Sequence, residues 1–160
     1  MLSVKLICVG KLKEKFFKDA FDEYAKRLGA YCRFELTELN ENRLPDAPSE
    51  KEISASLEKE GETIMKNIPH GSFVTAMCVE GRKMSSPELA GLIRECENSG
   101  KSKLCFIIGG SYGLSESVKK RADIKLSMSD MTFPHHLARI MLSEQIYRGF
   151  KINEGGTYHK

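Results

Sequence analysis

The chain predicts an α/β protein built on a mostly parallel sheet, and three observations carry that reading. Short apolar runs alternate with segments of helical periodicity from one end of the 160 residues to the other. One of the runs, "KLCFIIGG" (Lys103–Gly110), is apolar without alternation, as expected of a strand buried on both faces in the middle of a parallel sheet. No internal repeat and no linker interrupts the pattern, so residues 1–160 read as a single domain long enough to bury a core.

The elements follow in order. "VKLICVG" (Val4–Gly10) is a short apolar run closed by glycine, a buried strand. "EKFFKDAFDEYAKRL" places Phe17, Phe21, Tyr24 and Leu28 on one helical face. "RFELTEL" (Arg33–Leu39) alternates imperfectly and reads as a weaker strand at a sheet edge. After a polar loop with Pro45 and Pro48, Ser49 and Glu52 form a capping-box pattern opening a helix to about Asn67, with Ile53, Leu57 and Ile64 inward. "SFVTAMCV" (Ser72–Val79) is a third strand. Ser86-Pro87-Glu88 gives an N-cap, a proline at the first helical position and an acid in the first turn, and Gly100 ends that helix. A glycine turn after Lys103–Gly110 leads into a helix over Ser115–Ala122. "IKLSM" is a short fifth strand, and the last helix runs from about His135 to Phe150. Its apolar residues, Leu137 to Phe150, cover most of the circumference. Such a helix is buried on more than one side, which points to a second copy of the chain across a two-fold seam.

Composition excludes several classes. No apolar run approaches the length of a membrane span, and the N-terminus lacks the charge and cleavage pattern of a signal peptide, so the expectation is a cytoplasmic protein. The five cysteines form no CxxC pair and read as buried reduced thiols. Nothing resembles a zinc site, and no metal is expected: the adjacent His135 and His136 should point in different directions at a helix start. The net charge of +3 proves no nucleic-acid partner, although Lys11–Lys18, Lys119–Lys125 and the tail are basic.

Chemistry has three places to live. The turn "FIIGGSYGLSES" carries Gly109, Gly110 and Gly113 beyond a strand end, where backbone and ligand can approach closely. Its GGxxG spacing is neither the dinucleotide fingerprint nor a P-loop. The loop "LSMSDMTFPHH" sets Ser127, Ser129, Asp130 and Thr132 before Pro134, His135 and His136. These groups can hold a small polar ligand, or Thr132 or Asp130 can cap the last helix. Finally, Arg139, Glu144, Gln145, Tyr147 and Arg148 join the last helix to Tyr158, His159 and Lys160. Arg148 and Lys160 suit phosphate, and Tyr158 and His159 suit stacking or proton handling.

The stretches "ICVGKLKEKFF", "GRKMSSPELA", "FIIGGSYGL", "LSMSDMTFPHHLAR", "EQIYRGFKI" and terminal "YHK" together resemble the small SPOUT-class methyltransferases of large-subunit ribosomal RNA, the RlmH family of pseudouridine N3-methyltransferases. The resemblance implies a C-terminal trefoil knot, against the general rule that chains do not thread loops. It also implies a homodimer and S-adenosylmethionine as cofactor, contacting Met77, Gly109 and the run Met128, Ser129, Asp130, Met131, Thr132 and Phe133. Under it His159 handles a proton, Tyr158 positions the base, Arg148 stabilises an anion, and His135, Arg139, Arg148 and Lys160 meet RNA. The implied substrate is a pseudouridine of 23S ribosomal RNA in the assembled ribosome. The alternatives are a SPOUT enzyme for another ribosomal or transfer RNA position, and a non-catalytic ribosome-assembly factor that binds RNA.

Overall fold

The computed structural model describes residues 1–160. Its strands are β1 (Ser3–Val9), β2 (Arg33–Leu39), β3 (Phe73–Lys83), β4 (Lys103–Ile108) and β5 (Ile124–Ser127). Its helices are α1 (Lys15–Leu28), α2 (Glu50–Asn67), α3 (Ser86–Asn98), α4 (Glu116–Arg121) and α5 (His135–Asn153). The sheet order is β2-β1-β4-β3-β5 and every pairing is parallel. The apolar run at β4 is therefore the central strand, and β2 lies at an edge, as the patterns require.

Side-chain alternation along β4 divides the core. Leu104, Phe106 and Ile108 face one layer with Leu6, Cys8, Leu28, Ile93, Leu142 and Ile146, the layer of α1, α3 and α5. Cys105 and Ile107 face the other with Ile7, Val9, Ile64, Val74 and Val118, the layer of α2 and α4. Period-two geometry makes both faces of the strand apolar because both are covered. Gly61 permits the closest approach in the second layer: a Cβ there would lie 2.4 Å from Ser115 Oγ.

Helix starts follow the sequence with two corrections. Ser49 and Glu52 form the reciprocal capping box of α2. The box of α3 belongs to Ser85, not Ser86: Ser85 Oγ accepts from Glu88 N–H and the Glu88 carboxylate accepts from Ser85 N–H, since the box needs three-residue spacing. Neither Thr132 nor Asp130 caps α5. Pro134 holds that position without a side-chain bond, and Asp130 turns instead to the ammonium of Lys83, 2.5 Å away.

β3 extends past the expected end at Val79. Leu126 pairs with both Met77 and Arg82, so Cys78–Gly81 bulge away from β5. Gly81 makes the bulge sterically feasible, because a Cβ there would fall 2.7 Å from the backbone of Leu126. The cysteines Cys8, Cys32, Cys96 and Cys105 are buried and unpaired, while Cys78, on the bulge, is only partly covered. No helix is long and apolar enough to cross a membrane.

Candidate active site

The ends of β3, β4 and β5 open onto one cleft of ≈ 730 Å³ at the carboxyl rim of the sheet. Its walls are the β3 bulge, the glycine turn Gly109–Gly113, and the loop from Ser127 to the start of α5. Ligands bind at such rims in open α/β sheets because the turns there are free of the ladder and present their backbone. The volume suits a nucleoside-sized molecule.

Each wall is shaped by its own sequence. At Gly109 a Cβ would collide with the carbonyl of Gly113 at 2.3 Å, so only glycine allows the turn to fold back on itself. Gly113 sits at φ 83°, the left-handed region. In the second loop Ser127 Oγ donates to the Ser129 carbonyl at 3.0 Å, and Met131 N–H donates to Ser129 Oγ at 3.0 Å. These local serine bonds hold the loop open toward the cleft and leave Met131 73 % exposed at its mouth, beside exposed Val79 and Tyr112. Exposed apolar residues at a polar rim are the usual mark of a binding surface.

Of the residues expected at a cofactor, Met77, Gly109, Met128, Ser129, Met131, Thr132 and Phe133 all line this cleft. Asp130 does not, since its side chain is drawn out to Lys83. His135 lines it too. The Nε2 of His135 is buried without a partner, and burial first, then its neighbour His136, pulls its pKa down. The two histidines do not diverge as expected: their rings meet edge to face at 4.2 Å, because both turn toward Gly10.

Arg139 requires the largest correction. Placed among RNA-facing residues from the sequence, it is wholly buried. Its guanidinium pairs with Glu38 at 2.5 Å and donates to the Gly10 carbonyl at 2.8 Å, tying α5 to the ends of β1 and β2. Three strands lie between β5 and β2 in the sheet, and 101 residues separate Glu38 from Arg139, so the long-range partner was invisible to local pattern.

The tail folds back onto α5. Glu144 accepts from Arg148 at 2.5 Å and from the Tyr158 hydroxyl at 3.0 Å. Arg148 also stacks over the Tyr158 ring at 4.8 Å and donates to His159 Nδ1 at 3.2 Å. Arginine has no acceptor, so Nδ1 is the accepting atom of this contact. Burial and the bond to Glu144 raise the pKa of Tyr158, which keeps its phenol protonated. Lys160 is exposed. Arg148 is ten residues beyond Ala138 of the cleft wall, about 15 Å along the helix. The structure thus brings Arg148, Tyr158 and His159 together, but away from the cleft of the same chain. Glu144, which organises them, is named in the sequence reading only as part of the stretch, since a carboxylate beside an arginine at i+4 is common on any helix.

A parallel five-stranded sheet flanked by helices, with a cleft at its carboxyl rim, defines an open α/β protein with a candidate ligand site where such folds carry one. The family described as "Predicted SPOUT methyltransferase" matches residues 2–159, and the chain belongs to that family. It is 49% identical over 159 residues to the ribosomal RNA large subunit methyltransferase H of Clostridium botulinum (strain Langeland / NCTC 10281 / Type F), covering 99% of this chain and 100% of that one. Its likeness to the protein of the same name from Clostridioides difficile (strain 630) is 46% over the same span, with the same coverage. Among solved structures, the fold is similar to a probable methyltransferase from Bordetella pertussis Tohama I (TM-score 0.60, 14% identity, 92% of this chain and 96% of that one). It is also similar to a probable methylase family protein from Haemophilus influenzae Rd KW20 (TM-score 0.56, 14% identity, 100% of this chain and 72% of that one).

Proposed function

We propose that the protein transfers a methyl group from S-adenosylmethionine to N3 of a pseudouridine in 23S ribosomal RNA within the assembled ribosome. The observation that carries the reading is the rim cleft. Seven of the eight residues expected around the cofactor line it, and one of its walls is a glycine turn that a single Cβ would block. The mixture of apolar side chains (Met77, Ile108, Leu126, Phe133) with loop backbone suits an adenosine carrying an aliphatic arm. Bound there, the cofactor supplies an electrophilic methyl group.

The residues of this chain supply alignment and proton handling. A ring imide is a poor nucleophile until its proton leaves, so the site needs a base or an anion-stabilising cation beside the acceptor nitrogen. His159 is the proton acceptor in this reading, since imidazole is the side chain that ordinarily titrates nearest neutrality. Tyr158, held protonated, donates and stacks rather than acting as the base. Arg148, with exposed Lys160, offers positive charge to the imide anion or to phosphate. His135 meets RNA at the cleft mouth.

The active unit is a homodimer. The arm lies about 15 Å along α5 from the cleft of its own chain, and a two-fold partner is the economical way to bring an arm to a cleft. A C-terminal knot belongs to the same reading. The chain leaves β5 at one edge of the sheet and returns across the rim to dock Arg139 against β1 and β2 at the other.

The test is methyl transfer from labelled S-adenosylmethionine to ribosomes from cells lacking the gene, with free ribosomal RNA alongside and the product mapped by mass. Label on N3 of one pseudouridine in ribosomes is expected. Label on a transfer RNA, or on another ribosomal position, would replace the substrate; no transfer together with RNA binding would favour an assembly factor.

A further inference from the structure

The loop after β2 reaches into the rim in a way the reaction scheme leaves unused. Glu41 Oε1 accepts from the backbone N–H of Ser111 at 3.1 Å and from the Ser111 hydroxyl at 3.0 Å. Ser111 belongs to the glycine turn and lines the cleft. The same carboxylate fills the space in front of two glycines. A Cβ on Gly110 would lie 2.7 Å from Glu41 Oε1, and a Cβ on Gly10 would lie 3.8 Å from Glu41 Oε2. The Gly10 position is also 3.4 Å from His135 Nε2 and 3.7 Å from His136 Nε2. Atoms from the loops after β2 and β5 thus converge on the end of β1, and Glu41 also grips the loop after β4.

Glu41 is solvent-exposed, yet its position is not left to chance. The next residue, Asn42, donates its N–H to Glu60 at 3.1 Å and its side-chain amide to the Ser56 carbonyl at 3.3 Å, so the loop is pinned to α2. Glu60 is buried there. The convergence is not a metal site, as no group of three ligating side chains closes on one point.

We propose that Glu41 is a positioning residue for the methyl-donor cleft, a wedge that fixes the glycine turn through Ser111 and stands beside the His135–His136 pair on the opposite lip. Its work is done on the two loops that hold the donor, not on the reacting atoms. The inference rests on the reading of the cleft as the donor site.

The experiment is calorimetric titration of S-adenosylmethionine into the full-length protein, its Glu41→Ala and Glu41→Gln variants, Gly110→Ala, and the Glu41→Ala/Gly110→Ala pair. Steady-state methylation of ribosomes runs in parallel. Glu41→Ala is expected to weaken donor binding about three- to tenfold, the worth of one or two ordinary hydrogen bonds. It should raise the donor KM by a similar factor with kcat unchanged. Glu41→Gln keeps an oxygen acceptor and should stay within about twofold of the parent. Gly110→Ala should also weaken binding, because its methyl displaces the carboxylate, and the pair should be no weaker than the poorer single variant. Donor affinity for Glu41→Ala within twofold of the parent overturns the proposal. So does equal loss in Glu41→Ala and Glu41→Gln with a matching fall in melting temperature, which would make the residue merely structural. A parent protein that binds no donor overturns the cleft assignment itself, and the positioning role with it.

Discussion

Replacing Arg139 by methionine tests the interior of the fold against the RNA-facing role its sequence suggests. The side chain is fully buried, its pair with Glu38 measures 2.5 Å, and a second bond reaches the Gly10 carbonyl at 2.8 Å. Methionine keeps much of the aliphatic stem but removes the charge. Glu38 keeps the N–H of Leu12 at 3.1 Å and retains 29% side-chain exposure, so water can partly replace the lost cation. The Gly10 carbonyl loses the guanidinium bond. Removing one partner of a fully buried pair costs about 3–5 kcal/mol, and the exposure of Glu38 places this case at the lower end, about 3 kcal/mol. That is a large part of the 5–15 kcal/mol typical of a domain. Urea denaturation at fixed protein concentration should show the midpoint falling by about 1–1.5 M, for a slope of about 2–3 kcal/mol/M. Adding Glu38→Gln should cost less than its effect in the parent, since the charge it removes is already unpaired. Stability within about 1 kcal/mol of the parent, joined to a shallower salt dependence of ribosome binding, would refute the buried role and return Arg139 to the RNA surface.

The remaining predictions concern packing, thiols and the tail. Gly61→Ala should destabilise by about 1–3 kcal/mol despite the better helix propensity of alanine, because its methyl would press on Ser115; chemical denaturation measures it. Burial pushes the Cys8, Cys32 and Cys105 thiols up to about 12. The unfolded chain therefore ionises them first as pH rises, and stability that is intact below about pH 8.5 should decline toward pH 12 by up to about 1.4 kcal/mol per pH unit per thiol; alkaline denaturation series of Cys→Ala variants would show it. Cys78, which lines the cleft and is the one partly covered cysteine, should be the first alkylated in the native protein, and S-adenosylmethionine should slow that reaction. His159→Ala should lower turnover on ribosomes with donor affinity nearly intact, and equal turnover by variant and parent removes it from the chemistry.

The strands and helices were legible because burial leaves a period in the sequence. The unbroken apolar run of β4 declared its central place, and the imperfect alternation of β2 declared an edge. The residues expected around a cofactor came by likeness alone, and seven of those eight line one cleft. What escaped was non-local. The Cys78–Gly81 bulge depends on the backbone of β5, the buried fate of Arg139 on Glu38 a hundred residues away, and the grip of Glu41 on a turn seventy residues on. A polar or charged residue with a distant partner carries the same letter as one facing water. Only the glycines hint at such contacts, and Gly81 and Gly110 each mark a place where another segment comes too close for a side chain.

The docked tail also constrains how the reaction can proceed. Glu144 neutralises Arg148 at 2.5 Å, and Arg148 in turn occupies the one free lone pair of the neutral His159 ring. As it rests on α5, this imidazole has its Nδ1 engaged by the guanidinium of Arg148. With His159 as the proton acceptor proposed above, proton transfer requires it to leave Arg148, and what draws it away must offer Arg148 something in return. A phosphate or an imide anion does so, since either binds a guanidinium more strongly than a neutral nitrogen does. Under that proposal, substrate arrival and release of the base are one event, and an empty enzyme keeps its base capped. The consequence is measurable: with Arg148→Lys, whose ammonium lacks the planar fork, the His159 ring resonances should move in the free protein at constant pH, while turnover on ribosomes falls. Unmoved resonances would mean that the contact between Arg148 and His159 does not persist in solution, and the proposed capping would fail with it.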